Sequence, residues 1–282
     1  MSLGGYNSQE VVAEIKKLLS ADTRGPAVQK VLAMSSSISN LGAILWHAPG
    51  VALGLLQDIV TVLPIYEAGL MTKPNVDRIT ATLYLFTIIA SDPLSQSHLL
   101  ASHIPATLFP FLSVASETTE ETVVLTVAAL SFFISLANPD PASFAEFAFG
   151  ANLMSFLVTL IEQHSGAVLQ LACLLTRTVA TSTNGPALMM ESEGMLESLT
   201  KAIDMATARA VLPSTKQAVA EADLASVAAM WHGMLAGSTG ALKKTMIDHP
   251  PRSLLQADAN QRADEGTKRL IRAIIRGDVS GI

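Results

Sequence analysis

The sequence predicts an all-α fold, a right-handed armadillo-type solenoid of about six helical repeats. Long apolar stretches with helical periodicity are separated by short polar or proline-containing turns. Four of these turns recur about 45 to 54 residues apart, close to the repeat length of armadillo and HEAT proteins. Between the turns the helices follow a short, medium and long order. Because one such triplet cannot bury its apolar face alone, neighbours must stack. We therefore expect a single domain over residues 1–282.

The four turns are predicted to end one helix and begin another. They cover residues 90–93, 137–141, 183–186 and 237–240. Short polar side chains there are suited to cap the helix that follows, and proline is suited to its first turn. The candidate caps are Ser91, Asp92, Asn138, Asp140, Asn184 and Ser238.

The predicted helices can be assigned in order along the chain. Short helices follow the turns at 94–102, 142–149, 187–194 and 241–248, and medium helices follow these at 104–112, 151–163, 195–206 and 250–257. Third helices at 122–137, 167–182 and 220–237 are the most apolar. An exposed loop is expected at 70–75, and a polar connector at 257–266 precedes the last helix. Strand signals are weak, because no Asn-Gly turn joins alternating apolar runs.

Composition limits the possible classes of protein. The chain is 50% hydrophobic and 15% charged, which suits a large core and argues against disorder. Its net charge of −6 argues against a general nucleic-acid binder. The longest uncharged apolar run, 122–137, is shorter than the ~20 residues of a membrane span and has polar flanks. We expect a buried central helix there, no membrane segment and no secretory signal.

The sequence shows no pattern typical of catalysis. His98 and His103 are five residues apart, so the i, i+4 zinc spacing is absent. Phosphate-binding loops and nucleophile elbows are also absent. Cys173 lies among apolar residues and is predicted to be a buried thiol. We therefore expect no enzyme activity, no cofactor and no metal.

Two clusters of charge have structural interpretations. Glu117, Glu120 and Glu121 lie at the start of a long helix, where acidic groups complement the helix dipole. Cations near the C-terminus are expected to form a solvated helix face: Lys268, Arg269, Arg272 and Arg276.

Several short segments of the sequence resemble those of a known family. They are Leu45-Trp46-His47, Leu56-Gln57-Asp58-Ile59-Val60, Ala90-Ser91-Asp92-Pro93, and His103-Ile104-Pro105 followed by Phe109-Pro110-Phe111-Leu112. In this order they resemble the Rcd-one-like "required for cell differentiation" family, also called Caf-forty, a subunit of the CCR–NOT mRNA deadenylase complex. The resemblance covers about residues 41–277 and is strongest up to residue 112.

The resemblance implies a non-catalytic armadillo adaptor that binds the NOT scaffold and recruits peptides of RNA-binding regulators. The implied scaffold-binding residues are Trp46, His47, Pro49, Leu53 and Val60. His47 and Val60 match the family pattern, whereas Pro49 replaces an aromatic residue and Leu53 an alanine. Leu53, Leu56 and Val60 have helical spacing and form one apolar stripe. The alternative is that this stripe and Trp46 pack inside the solenoid.

The resemblance also implies a peptide-binding concave groove with tryptophan pockets. The corresponding residues are Arg78, Val124, Leu171, Glu193 and Met195. Glu193 and Met195 replace a tyrosine and an arginine, and Val124 replaces another arginine. These replacements argue against tryptophan capture, which uses an aromatic wall and a cationic edge. They also argue against direct nucleic-acid binding, since Glu193 would repel phosphate.

The leading hypothesis is an adaptor subunit of the CCR–NOT complex, acting in mRNA decay and translational repression. A generic armadillo interaction adaptor outside that complex is the alternative, and a single-stranded nucleic-acid binder is a weaker one. A cytoplasmic location is expected, with the nucleus left open. A homodimer also remains open.

Overall fold

The fold is almost entirely helical, as predicted. A computed structural model describes residues 2–3, 6–113, 119–257 and 263–277. Within these ranges are sixteen α-helices, two 3₁₀ segments and one short antiparallel ladder in which Ser2–Leu3 (β1) pairs with Tyr6–Asn7 (β2). Glu117 and residues 258–262 of the predicted 257–266 connector lie outside the described residues. The chain divides into two compact units, Met1–Asp140 and Pro141–Ile282.

The first unit contains seven α-helices among its described residues. They are α1 Ser8–Lys17, α2 Ala21–Met34, α3 Leu41–His47, α4 Val51–Glu67, α5 Lys73–Ala90, α6 Pro93–Ala101 and α7 Glu120–Ala137. Two 3₁₀ segments, Ser35–Ser37 and Pro105–Leu112, complete it. Helices α3, α4 and α5 form one triplet, whose first two helices meet at 85°.

The second unit contains nine α-helices in its described part. They are α8 Pro141–Gly150, α9 Leu153–Gln163, α10 Ala167–Ala180, α11 Gly185–Glu191, α12 Met195–Ala210, α13 Gln217–Gly237, α14 Gly240–Asp248, α15 Arg252–Ala257 and α16 Glu265–Arg276. They fall into three triplets, α8–α10, α11–α13 and α14–α16, in the predicted order. Single-domain organisation stays a prediction.

The medium helix predicted at 104–112 is a 3₁₀ segment instead. Its turns close over three residues, as in the bond from the Thr107 amide to the Ile104 carbonyl (3.1 Å) and from the Ser113 amide to the Pro110 carbonyl (3.2 Å). Pro110 provides a reason, because the ring of a proline inside an α-helix clashes with the carbonyl group four residues before it. Pro105 stands in the first turn of the segment, where proline is tolerated.

The predicted caps are only partly correct. Asp92 begins α6 and accepts the Ser95 amide at 3.0 Å, as expected. By contrast, Ser91, Asn138 and Ser238 follow the ends of α5, α7 and α13. The hydroxyls of Ser91 and Ser238 donate to carbonyls four residues back, at 2.8 and 2.6 Å, and so belong to the preceding helix. Asn184 begins α11 but its side chain does not cap the helix, because its amide donates to Glu146 Oε1 of α8 at 2.8 Å instead.

The helix α7 packs against α5 and the 3₁₀ segment Pro105–Leu112 of the first unit. Leu130, Phe132 and Phe133 are fully buried, and Phe132 meets Phe86 of α5 edge to face with ring centroids 6.4 Å apart. By length and composition alone α7 could cross a membrane, and up to three spans result if each of two bent helix pairs counts as one. Half of α7 is buried within the fold, as predicted for a central helix.

Arg24 joins three helices of the first unit. Its side chain is 3% exposed, its Nε donates to the Leu18 carbonyl beyond the end of α1 (2.7 Å), and its Nη1 donates to Asp58 Oδ1 of α4 (2.8 Å). A guanidinium in this position satisfies a carbonyl that a helix end leaves unpaired. Arg24 therefore fixes α4 against α1 and α2.

The turn between α9 and α10 is held by two charged residues from the next triplet. Arg209 of α12 donates to the carbonyls of Ile161 (3.0 Å), Glu162 and His164 at the end of α9. Asp223 of α13, itself 2% exposed, accepts the Gly166 amide at the start of α10 at 2.9 Å. Each charge meets the helix end of opposite polarity.

Burial alters the protonation of groups around this turn. It lowers the pKa of His164, with a contribution from the Arg209 charge. It raises the pKa of Asp223, against the hydrogen bonds from Gly166 and Gln170 and the charge of Arg209. Cys173 is buried as predicted, and burial together with Asp223 raises the pKa of its thiol far above the ordinary value. The Cys173 thiol is therefore neutral at physiological pH.

Substituting Arg24 should destabilise the fold strongly. In Arg24→Met the buried Asp58 carboxylate loses its partner, and such losses cost about 3–5 kcal/mol. Urea unfolding followed by circular dichroism measures the change. Lys30→Met is the control, because its ammonium pairs with Glu14 but is 60% exposed, and it should cost less than about 1 kcal/mol. Equal effects of the two substitutions would contradict the role of Arg24.

Acid should destabilise the protein partly through His164. Because its pKa is lower in the folded than in the unfolded chain, the unfolded chain takes up the proton first as the pH falls below about 6.5. The stabilisation from neutral His164 is thus present above that pH and lost as the pH falls through the folded pKa. The free energy of unfolding should fall less between pH 7.5 and 5.5 in His164→Gln than in the unchanged protein. An identical fall in both proteins would rule out this contribution.

Candidate functional site

The turn between α3 and α4 presents the predicted scaffold-binding residues to solvent. Gly50 has a positive φ of 83°, which glycine adopts without strain, and it turns the chain between the two helices. His47 and Pro49, on the α3 side of this turn, are exposed. The turn therefore places the two residues beside the start of α4.

One face of α4 is apolar and exposed. Leu53 is 69% exposed and Val60 is 48% exposed, whereas Leu56 between them is half-buried. The opposite face of α4 carries the core residues Leu55 and Ile59, which are fully buried. The alternative that the stripe packs inside the solenoid is therefore wrong for Leu53 and Val60.

Trp46 lines a shallow depression rather than the core. The indole is half-buried and shares a depression of about 480 Å³ with His47 and with His98, Ala101 and Ser102 from α6 and its end. Sequence reasoning missed the α6 wall, since it weighed His98 only as a metal ligand. The three-residue spacing of His98 and Ala101 on a short helix was the available signal. We call the depression and the exposed stripe of α4 together the α3–α4 face.

The packing of α4 sets the direction of this face. Asp58 points inward to Arg24, so the neighbouring Leu56 and Val60 lie outside the ion pair. Gly54 leaves the necessary space, because a Cβ there would stand 3.1 Å from the Leu18 carbonyl oxygen and 3.2 Å from Arg24 Nη2. Arg24 and Gly54 were not recognised in the sequence, and their partners lie far along the chain.

The groove residues of the first unit lie on adjacent third helices. Arg78 is half-buried on α5, and its Nε is buried without a hydrogen-bond partner in the described chain. Val124 is 39% exposed on α7, which packs directly on α5, and Tyr84 of α5 is 45% exposed. Arg78, Tyr84 and Val124 are thus all at least partly accessible on two helices that pack together.

The groove residues of the second unit do not lie together. Leu171 is half-buried on α10 and lines neither of the two clefts beside α12. Glu193 and Met195 flank Gly194 in the turn that leads into α12. They share a small cleft of about 320 Å³ with Glu162 and Lys201. The Lys201 ammonium lies 3.8 Å from the Glu162 carboxylate.

A larger cleft of about 870 Å³ lies on the other side of Glu193. Met189, Met190 and Met205 provide its apolar lining, and Glu193, Glu197 and Asp204 provide its carboxylates. The walls come from α11, α12 and the end of α14. Apart from Glu193, none of the lining residues was recognised from the sequence, because packing between triplets brings the walls of the cleft together.

The described residues provide no group of three or more His, Cys, Asp or Glu side chains that could hold a metal ion. His98 and His103, the pair weighed for zinc, are both exposed.

Comparison with known proteins agrees with the sequence resemblance. Residues 14–214 match the model of the family described as "Cell differentiation family, Rcd1-like". The chain is similar to the cell differentiation protein rcd1 of Schizosaccharomyces pombe, at 28% identity over 57% of this chain and 56% of that protein. It is also similar to Protein CAF40 of Saccharomyces cerevisiae, at 27% identity over 51% of this chain and 39% of that protein. The chain thus spans about half the length of these relatives or less.

Solved structures confirm the class of fold. A designed armadillo repeat protein, YIII(Dq)4CqI, aligns over 95% of this chain and 99% of its own, with a TM-score of 0.63 and 14% identity. A second designed armadillo repeat protein, solved in complex with a peptide, gives a TM-score of 0.65 at 15% identity. At these identities the similarity shows the armadillo-type fold alone.

Two substitutions on α4 should separate its exposed face from its core face. Val60→Glu should change the free energy of unfolding by less than about 0.5 kcal/mol, because residue 60 is exposed. Leu55→Ala should cost about 2–5 kcal/mol, because residue 55 is fully buried. Thermal and urea unfolding measure both. A large loss in Val60→Glu would mean that the stripe is part of the core.

Proposed function

Because the chain belongs to the Rcd1-like cell differentiation family, we propose that it is a non-catalytic adaptor subunit of the CCR–NOT mRNA deadenylase complex. In this function the α3–α4 face binds the NOT scaffold, and other surfaces recruit peptides of RNA-binding regulators. The deadenylase nucleases of the complex would shorten poly(A) tails, while this chain connects them to selected mRNAs in the cytoplasm.

The exposed apolar stripe on α4 is the observation that carries the proposal. Leu53 and Val60 present large apolar side chains to solvent on one helix face, next to the depression that contains Trp46. Contiguous exposed apolar surface of this kind is typical of protein–protein interaction sites. Trp46, half-buried at the edge of this surface, is a tryptophan, and tryptophan is among the residues that contribute most to binding energy at protein interfaces.

The environment of the single cysteine of the chain, Cys173, fits a structural role. The Cys173 thiol is buried and its pKa is raised, which removes the thiolate that a nucleophile requires. An adaptor needs a binding surface whose helices are held in a fixed orientation. The buried contacts of Arg24 with the Leu18 carbonyl and Asp58 hold α4 in this way within the α3–α4 face.

Recruitment of regulator peptides is proposed for surfaces away from α4. The helices α5 and α7 provide the exposed side chains of Val124 and Tyr84 and the half-buried guanidinium of Arg78. Such a surface can pack apolar side chains of a peptide and pair with its carboxylates. The missing tyrosine and arginine at positions 193 and 195 argue that the peptides differ from tryptophan-containing ones.

A charge placed on the stripe should abolish scaffold binding. In Val60→Glu, a carboxylate would be desolvated at the interface, and we expect at least a tenfold loss of affinity. The measurement is capture of the NOT scaffold, both by affinity purification from the source cells and with purified proteins. The double substitution His47→Ala and Val60→Tyr should also weaken scaffold binding, because the first removes a contact with the scaffold and the second places a larger side chain in the interface.

Val12→Glu is the matched control. Val12 of α1 is 51% exposed and Val60 is 48% exposed, so the two variants add the same charge at similar exposure. Val12→Glu should capture the scaffold normally. Capture of the scaffold by the folded Val60→Glu protein would exclude α4 as the contact, and recovery of other partners without the scaffold would favour an adaptor outside the complex.

A further inference from the structure

The 870 Å³ cleft of the second unit has the shape of a groove along α12. Two rows of lining side chains, each spaced by four residues, run along this helix: Leu196, Thr200, Asp204 and Ala208 form one, and Glu197, Lys201 and Met205 form the other. At 1.5 Å per residue the longer row extends for about 18 Å, the length of a helix of about 12 residues.

The floor and walls of the groove are unusually rich in methionine. Met189 is buried at the base, whereas Met190 of α11 and Met205 of α12 are 46% and 43% exposed. Methionine side chains are flexible and polarisable, so they fit varied apolar partners. An exposed methionine-lined groove between helices is the kind of surface that receives the apolar face of an amphipathic helix.

The rim of the groove is acidic. Glu193 and Glu197 are exposed at one end, and Asp204 is half-exposed farther along, where one of its oxygens also accepts the Ser253 amide at 2.7 Å. Lys201 is the one Lys or Arg that lines the groove, and its ammonium lies 3.8 Å from Glu162 on the opposite side of α12. The exposed charge available to a partner is therefore predominantly negative.

We infer that this groove binds a basic amphipathic helix of a partner protein, with apolar side chains on the methionines and Lys or Arg on the acidic rim. The inference rests on the proposed function, since it names the chemistry of one class of recruited regulator segment. The length of the groove, its apolar lining and the negative charge of its rim are all suited to such a helix. An acidic segment would be repelled by the exposed carboxylates of Glu193 and Glu197.

Direct binding of a model peptide tests the inference. The probe is a fluorescein-labelled 14-residue peptide of leucine and lysine, with leucines at helical i, i+3, i+4, i+7 spacing, and its partner peptide replaces every lysine by glutamate. Fluorescence anisotropy with the full chain should show saturable binding of the lysine peptide only. The affinity should fall as salt rises from 50 to 300 mM, because exposed charge pairs are screened.

Charge reversal in the groove has a matched control. Glu193→Lys with Glu197→Lys should weaken binding of the lysine peptide at least tenfold, through loss of two attractions and gain of two repulsions. Glu10→Lys with Glu67→Lys changes the net charge equally at exposed positions of the first unit and should bind normally. Equal affinities of the two variants would overturn the inference.

The apolar part of the groove has its own measurement. In a sample with isotope-labelled methionine methyls, the lysine peptide should shift the signals of Met190 and Met205, assigned through Met→Leu variants. Met190→Ser with Met205→Ser should reduce the affinity at least tenfold while circular dichroism stays unchanged.

Tight binding of the glutamate peptide would show that charge plays no part and would contradict the proposal. Self-association that depends on these two methionines would assign the groove to a second copy and also contradict it.

The two proposals can fail separately. Val60→Glu should bind the lysine peptide like the unchanged protein, because α4 belongs to the other unit. Scaffold capture without peptide binding would overturn the groove inference and leave the adaptor function standing. Peptide binding without scaffold capture would support the groove and contradict assignment to the CCR–NOT complex.

Discussion

Every stacked helix ends in carbonyl groups that lack an intrahelical partner, and in this protein polar side chains from neighbouring helices bind several of them. Arg24 binds the carbonyls that follow α1, and Arg209 binds those at the end of α9. The buried Gln96 of α6 donates to the Leu136 carbonyl of α7 at 3.0 Å. Because burial without a partner would be costly, these contacts fix neighbouring helices against one another within each unit.

Both candidate surfaces depend on these contacts at the ends of helices. Helix α4 carries Asp58 on its inner side and the exposed Leu53 and Val60 on its outer side, so the ion pair to Arg24 orients the stripe. Helix α12 is used in a similar way: Arg209 caps α9, while Met205 and Ala208 line the groove. One helix thus provides both a structural anchor and a contact surface.

The sequence predicted the helices well and their junctions poorly. The order of triplets follows from apolar periodicity and proline turns, which are local properties of the chain. Arg24 and Asp58 are 34 residues apart, and Gly166 and Asp223 are 57 apart, so no local pattern links them. The stripe residues Leu53 and Val60 could be identified because a helix period and a family pattern coincide there. The large groove beside α12 could not, since its walls come from three helices.

The close approach at Gly54 also has an evolutionary consequence. The guanidinium of Arg24 crosses α4 where residue 54 has no side chain, with Arg24 Nη2 and the Leu18 carbonyl oxygen 3.2 and 3.1 Å from the position of a Cβ. A larger residue at 54 is tolerated only if Arg24 is lost or moved, and loss of Arg24 leaves Asp58 without its charge partner. Positions 24, 54 and 58 should therefore covary among homologues, as a single inherited unit that fixes the direction of α4.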